Sequence, residues 1–99
     1  MHEAAEPLAR ENVLITVVGQ DRVGIIARVA TSLAQNNINI LDLNQKIMQG
    51  YFVMNLMADM AGSKIDLDAL NRLMDDVGRE MGLKIMVQHE NIFRSMHRI

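Results

Sequence analysis

The sequence contains no cysteine and no tryptophan, and only one of its 99 residues is proline. Without cysteine the chain has no disulfide framework, no thiolate metal site and no cysteine nucleophile. No apolar run approaches the roughly 18 residues that a membrane-spanning helix needs, and the acidic first residues do not resemble a signal peptide. These absences predict a cytoplasmic protein with no membrane partner.

The chain also lacks a strong excess of charge of either sign. It has ten Lys and Arg against twelve Asp and Glu, for a formal net charge of −2. Its aromatic side chains number three, Tyr51, Phe52 and Phe93. A general nucleic-acid binder would need a basic surface, so nucleic acid is not the expected partner.

What the chain has in unusual number is methionine, nine in all, within a hydrophobic fraction of 49%. Methionine is flexible and polarizable, so it fills irregular gaps in a core and suits adaptable contact surfaces. A chain of this length forms one domain. We therefore expect the methionines to divide between the core and a contact surface.

Hydrophobic periodicity divides the chain into a leader, a domain and a tail. Residues 1–11 are polar and predict a flexible leader, residues 12–89 form the domain, and residues 90–99 form an amphipathic tail. Alternating and helical patterns predict six elements within the domain. They are strands at 13–18, 38–48, 51–60 and 83–89, and helices at 24–36 and 66–81.

The order β-α-β-β-α-β predicts an α+β fold, the ferredoxin-like βαββαβ sandwich. Its two βαβ halves interleave into a four-stranded antiparallel sheet with both helices on one face. In the second strand, Leu41, Leu43 and Ile47 are expected to line one face, opposite three polar side chains. The sheet face without helices would expose apolar residues, which indicates an interface. These residues are Tyr51, Val53, Met57 and Met86.

The loop from Gly19 to Ile25 is the best candidate for a binding site. It joins a central strand to a helix N-terminus, where unpaired amides and a partial positive charge can hold an anionic group. Gly24 would let a ligand approach the backbone, and Asp21 could accept a hydrogen bond from an ammonium group. The simpler alternative is that Asp21 caps the helix and Gly24 makes the turn. Asn39, which can donate and accept, is the second candidate; alone it would be a strand-entry residue.

No constellation of residues indicates catalysis, a metal ion or a cofactor. The histidines have neither metal-ligand spacing nor a partner carboxylate, and no serine lies in a nucleophile elbow. RNA-recognition domains share the predicted topology, and the segment 49–56 contains part of their third-strand motif. The aromatic platforms that stack bases are missing, so RNA binding is the least favoured binding hypothesis.

Two stretches of the chain resemble the ACT domain, a family of small regulatory modules that bind amino acids. They are Gly-Gln-Asp-Arg-Val-Gly-Ile at 19–25 and Ala-Gln-Asn-Asn-Ile-Asn-Ile at 34–40. The Asp-Arg-x-Gly-Ile form looks most like the ACT domains of the glycine cleavage system repressor and of formyltetrahydrofolate deformylase. The whole chain, including its tail, resembles small bacterial and archaeal proteins built from a single ACT domain.

The resemblance implies an effector held between two subunits, against the first β–α loop of one and the second strand of its neighbour. It also implies side-by-side pairing of two domains through the first helix and the second strand. Several amino-acid-binding members have Asn in place of Asp21 and Pro in place of Val23. The implied ligand-binding residues are Asp21, Arg22, Gly24, Ile25, Asn39 and Ile40.

The resulting functional hypothesis is a non-enzymatic regulatory protein, a homodimer or larger oligomer, that senses a small amino acid and acts on an unidentified protein partner. The alternative is a ligand-free interaction module whose Met-rich faces bind protein. In either case the tail, through Phe93 and Met96, is expected to cover part of the open sheet face of its own or a partner subunit.

Overall fold

The structure, a computed structural model, describes residues 11–90. It contains six elements in the predicted order β-α-β-β-α-β. They are β1 (Asn12–Gln20), α1 (Ile25–Gln35), β2 (Asn39–Met48), β3 (Tyr51–Asp59), α2 (Leu67–Met81) and β4 (Leu83–His89). The predicted leader and tail lie outside the described residues, apart from Glu11 and Glu90. None of the helices in the described part is long and apolar enough to cross a membrane.

The four strands form one antiparallel sheet in the order β2-β3-β1-β4, which confirms the ferredoxin-like fold. β1 lies in the interior of the sheet between β3 and β4. Its odd-numbered residues Val13, Ile15 and Val17 are buried under the helices, whereas Leu14 and Thr16 lie on the other face and are half-buried. β2 and β4 are the edges of the sheet, so each leaves one row of backbone groups unpaired within it.

The core lies between the helix layer and the sheet. α1 contributes Val29 and Leu33, and α2 contributes Leu70 and Val77, all fully buried. The methionines occupy two kinds of position, buried and exposed. Met54, Met60 and Met74 are buried in the core, whereas Met48 and Met86 are exposed. The core position expected for Met54, Met60 and Met74 is therefore confirmed, whereas a contact role of the exposed methionines stays a prediction.

The second strand departs from regular alternation, so one prediction for it was wrong. Leu41 does not share a buried face with Leu43, because it lies in an irregularity between the pairs Ile40↔Ala58 and Asp42↔Met57. Leu41 is left without a cross-strand partner and is 41% exposed. The extra residue, a β-bulge, shifts the phase of the strand by one residue. Ile40 and Leu43 consequently both pack against the core.

Helical spacing in the sequence predicts a buried face of α1 that includes Ile26 and Ala34, and this prediction is partly wrong. Both residues are exposed, and Ser32 is buried in their place. The hydroxyl of Ser32 donates to the Arg28 carbonyl one turn earlier at 2.9 Å, which satisfies its buried donor. The outer flank of α1 is therefore apolar and uncovered in the single chain.

The ends of α2 and the β2–β3 turn have the residues that their conformations demand. Asp66 caps α2, with its Oδ1 accepting a hydrogen bond from the Ala69 N–H at 2.9 Å. Gly82 ends the helix in the left-handed conformation at φ 70°. Gln49 and Gly50 both have positive φ, as a two-residue type I′ hairpin turn requires. An aspartate before the helical stripe, a glycine after it, and a Gln-Gly pair between two alternating runs predict these three features from the sequence, and the structure confirms them.

Candidate functional site

A backbone hydrogen bond and a glycine N-cap shape the loop between β1 and α1. The Asp21 N–H donates to the Gly50 carbonyl at 2.9 Å, which ties the loop to the β2–β3 turn. Gly24 is the N-cap of α1 at φ 92°, and no side chain caps the helix. The alternative that Asp21 merely caps α1 is therefore wrong, while Gly24 does make the turn. The amides of the first turn of α1 are left without a side-chain acceptor.

A cavity of about 310 Å³ opens beside this loop. Its floor includes the buried side chains Ile25 and Phe52, and its rim carries the exposed carboxylate of Asp21. Gly24 adds no Cβ, and even an ideal Cβ built there meets nothing within 4 Å. Small-molecule cavities start at about 300 Å³, so this one is of a size for a small ligand. The lining also includes Arg22, Ile26, Ala27, Gln45 and Ile47.

Arg22 lines the cavity but its guanidinium is engaged elsewhere in the chain. Nη1 donates to the Met81 carbonyl at 3.0 Å. That carbonyl belongs to the last turn of α2, where the helix leaves its carbonyl groups unpaired and carries a partial negative charge. Arg22 therefore links the candidate loop to the C-terminal end of α2.

A second arginine, Arg28 in α1, also contacts the C-terminal end of α2. Arg28 forms a bidentate ion pair with Glu80, at 3.0 Å from Nε and 2.9 Å from Nη2, and also contacts the hydroxyl of Ser32. The hydrogen bonds from Arg28 hold the pKa of the Glu80 carboxyl below its ordinary value. This pair was not predicted from the sequence, because nothing in the spacing of two helical residues 52 positions apart indicates that they meet.

Asn39 and Ile40 lie at the opposite end of the sheet from the loop. Asn39 pairs with Asp59, which pairs with Asn12 at the start of β1, whereas the loop leaves the other end of β1 after Gln20. Eight residue steps of β1 separate the two ends, or about 27 Å at roughly 3.4 Å per residue. The structure therefore gathers the four loop candidates around the cavity, and does not bring the two β2 candidates to them within one chain.

Apolar side chains are exposed along the side of the molecule between α1 and the β2 edge. Val23 is 98% exposed, Ile47 is 54% exposed, and Ile26 is also exposed. Ile26 and Ile47 line the cavity as well. Exposed apolar side chains gathered in this way indicate a contact surface, and this one adjoins the candidate site.

Residues 11–90 contain no group of three or more His, Asp and Glu side chains arranged to hold a metal ion. The candidate site offers backbone amides, the exposed Asp21 carboxylate and an apolar floor, with Arg22 and Gln45 also in its lining. Such a set can bind a zwitterion, because amide N–H groups donate to its carboxylate and the Asp21 carboxylate accepts hydrogen bonds from its ammonium group.

Three comparisons place the chain among known proteins. The model of the ACT domain family matches residues 11–88. A UPF0237 protein of Methanosarcina acetivorans is 49% identical over 86 residues, which cover 87% of this chain and 94% of that protein. The ACT domain protein from Streptococcus pneumoniae is similar in structure, with a TM-score of 0.75 and 32% identity over 84% of this chain and 93% of that one.

The likeness extends to part of a larger enzyme. A formyltetrahydrofolate deformylase from Pseudomonas syringae superposes with a TM-score of 0.75 over 80% of this chain, but this covers 27% of that chain. At 22% identity, the comparison shows a shared fold and nothing more.

Proposed function

Because the chain belongs to the ACT domain family, a regulatory type of domain, we propose that it is a non-enzymatic sensor that binds a small amino acid between two copies of itself. The observation that carries the proposal is the division of the candidate site. The cavity and its loop lie at one end of the sheet, and Asn39 lies about 27 Å away at the other. A second copy is needed to complete the site.

The free edge of β2 provides the way to complete it. β2 runs from Asn39 to Met48 at the edge of the sheet. If two such edges pair antiparallel about their middle, Asn39 of the partner subunit comes opposite the end of β2 that contains Ile47. Ile47 lines the cavity. The pairing would join two four-stranded sheets into one and would cover the apolar flank of α1 at the same time.

The chemistry of the site fits an α-amino acid. The ligand carboxylate would lie against the uncapped amides at the start of α1, which Gly24 leaves accessible. Its ammonium group would face the carboxylate of Asp21 and the side-chain oxygen of Asn39 from the partner subunit. An orientation with the ligand carboxylate beside Asp21 is disfavoured, because the two anions repel each other.

The ligand would act by stabilising one arrangement of the two subunits. Coupling free energies between sites are typically about 1–3 kcal/mol, which suffices for graded control of a protein partner. The regulated partner would then recognise the arrangement of the pair rather than the ligand itself.

Calorimetry with a panel of the twenty amino acids tests the proposal. We expect one small amino acid to bind the native protein and to raise its melting temperature; at a hundredfold excess over Kd the gain is about 2.7 kcal/mol. Asp21→Ala and Asn39→Ala should each weaken binding at least tenfold, which corresponds to about 1.4 kcal/mol. Asp68→Ala, an exposed acidic change on α2, is the matched control and should leave the affinity unchanged.

A ligand-free interaction module is the second candidate, and the exposed apolar flank of α1 and β2 favours it. Failure of every amino acid to bind, combined with a stable oligomer by sedimentation, would select this function instead. RNA binding has less support, because Tyr51 is the one aromatic side chain on the open sheet face within residues 11–90.

A further inference from the structure

The sheet face that carries no helices is uncovered in the described part of the chain; we call it the open face. Its apolar side chains include Tyr51 at 56% and Met86 at 47% exposure. Side-by-side pairing through β2 would leave this face uncovered, because it extends the sheet without stacking anything on it. The open face is formed by the even-numbered residues of β1 and β4, the odd-numbered residues of β3, and the residues of β2 that pair with these β3 residues.

We propose that the segment of residues 91–99 packs as a short amphipathic helix across the open face of its own chain. The apolar residues of the segment recur at 92, 93, 96 and 99, which places them on one side of a helix. Arg94 and Arg98 fall on the other side. The apolar side of the segment and the apolar rows of the open face are complementary surfaces.

The length of the segment matches the width of the sheet. β4, which ends at His89, is an edge strand, and the backbone is already helical at Glu90. A helix of nine residues is about 13.5 Å long. The distance from β4 across β1 and β3 to β2 is three strand spacings, or about 14 Å. A helix that starts at the end of β4 can therefore cross the whole face without a long connection.

The polar side of the segment stays in solvent in this arrangement. The open face carries Asp42 and Asp59 at the end nearest His89 and Lys46 and Lys84 at the far end, so its acidic and basic side chains balance. Arg94 and Arg98 lie on the side of the helix that faces away from the sheet. Packing of the apolar side therefore leaves both guanidinium groups hydrated.

A buried acceptor marks the same end of the sheet. Asn12 is 9% exposed, and its Oδ1 accepts no hydrogen bond within the described part of the chain. Buried polar atoms are nearly always paired. Asn12 lies beside Asp59 in the row that precedes Leu14, so this acceptor lies at the end of the open face where the segment begins.

Because the chain has no native cysteine, a single introduced cysteine can be labelled at a chosen position. A nitroxide on Ser95→Cys reports the position of the segment through line broadening in amide NMR spectra of the full chain. We expect broadening of amides in the middle of the open face, at Thr16, Val53 and Asn55, and sharp lines in α1 and α2. A nitroxide on Asp68→Cys, on the helix side, should give the reverse pattern.

Two further measurements complete the experiment. Phe93→Asp in the Ser95→Cys background should abolish the broadening, whereas His97→Asn, on the polar side of the segment, should preserve it. A sample that mixes isotope-labelled chains without nitroxide and unlabelled chains with nitroxide separates the two subunits; the labelled chains should stay sharp. Three results would each overturn the proposal: sharp open-face amides, broadening that survives Phe93→Asp, and broadening in the mixed sample. The last would assign the face to the segment of a second copy.

Discussion

At the scale of single residues, two arginines position the start of α1 against the end of α2. Arg22 donates to the Met81 carbonyl, and Arg28 pairs with Glu80, the residue before Met81. Arg22 also lines the candidate cavity, so the first of these contacts joins the cavity to α2. A movement of the loop on ligand binding would therefore alter the contacts at the C-terminal end of α2, which connects through Gly82 to β4.

Glu80→Gln is expected to lower stability at neutral pH and to have little effect in acid. The pKa of the Glu80 carboxyl is lowered by its hydrogen bonds from Arg28, and the pKa of Arg28 is raised, so Arg28 stays charged throughout. A carboxyl whose pKa is lower in the folded state stabilises the protein above its unfolded pKa. This contribution disappears as the pH falls through the folded pKa. Urea unfolding of both proteins between pH 7 and about pH 3 measures the difference.

A double-mutant cycle supplies the control for this prediction. Arg28→Gln and the double variant should show a coupling with Glu80→Gln at pH 7 that vanishes in acid. A coupling that does not change with pH would mean that the residues contact each other through packing and not through charge. Because the pair is partly exposed, we expect added salt to weaken the coupling at pH 7 as well.

At the scale of the elements, α2 lies unusually close to β4. A Cβ on Gly78 would be 2.7 Å from the Leu83 carbonyl oxygen, which is closer than atoms tolerate. Gly78 is buried in the interior of the helix, where glycine is ordinarily unfavourable. The loss of helix propensity is offset by the close packing that the missing side chain permits.

Gly78→Ala should therefore destabilise the protein even though it improves helix propensity. Alanine gains about 1 kcal/mol in a helix interior, whereas overpacking against a rigid backbone costs about 1–3 kcal/mol. We expect a net loss of about 1 kcal/mol by chemical denaturation. Arg72→Ala, on the exposed side of the same helix, is the control and should be nearly neutral. A stabilised Gly78→Ala protein would show that α2 can move away from β4 at little cost.

At the scale of the whole molecule, the division of the proposed site predicts complementation. Mixed chains of Asp21→Ala and Asn39→Ala should form hybrid dimers in which one site carries both changes and the other carries neither. With random exchange of subunits, about a quarter of the sites are then restored. Calorimetric titration of the mixture should recover that fraction with native affinity.

The complementation experiment also distinguishes the proposed geometry from its alternatives. A site contained within one chain would give no native-affinity sites in the mixture, because every chain carries a defect. In the control, each variant is unfolded and refolded by itself and the two are mixed only afterwards, so that subunits do not exchange during refolding. A mixture that recovers no sites, although mass spectrometry shows hybrid dimers, would contradict the cross-subunit site.

Much of the fold followed from local patterns in the sequence. The alternation in β3, the helical stripe of α2, the Asp66 cap and the Gln49-Gly50 turn each depend on neighbours within a few residues, and each was predicted. The order of the elements then limits the topology to few choices. The loop candidates of the site could also be chosen from the sequence, because a glycine between a central strand and a helix is a local signal.

What the sequence could not provide depends on register and on contacts between distant residues. Leu41 was misplaced because a bulge shifts the phase of β2 by one residue, and only the pairing with β3 reveals it. The Arg28–Glu80 pair and the close approach at Gly78 required the packing of α2 to be known. The sequence by itself thus determined the elements, their order and the residues of the candidate loop. Only the tertiary structure decided that Asn39 lies at the other end of the sheet from that loop, because strand pairing, and not chain proximity, sets the distance between them.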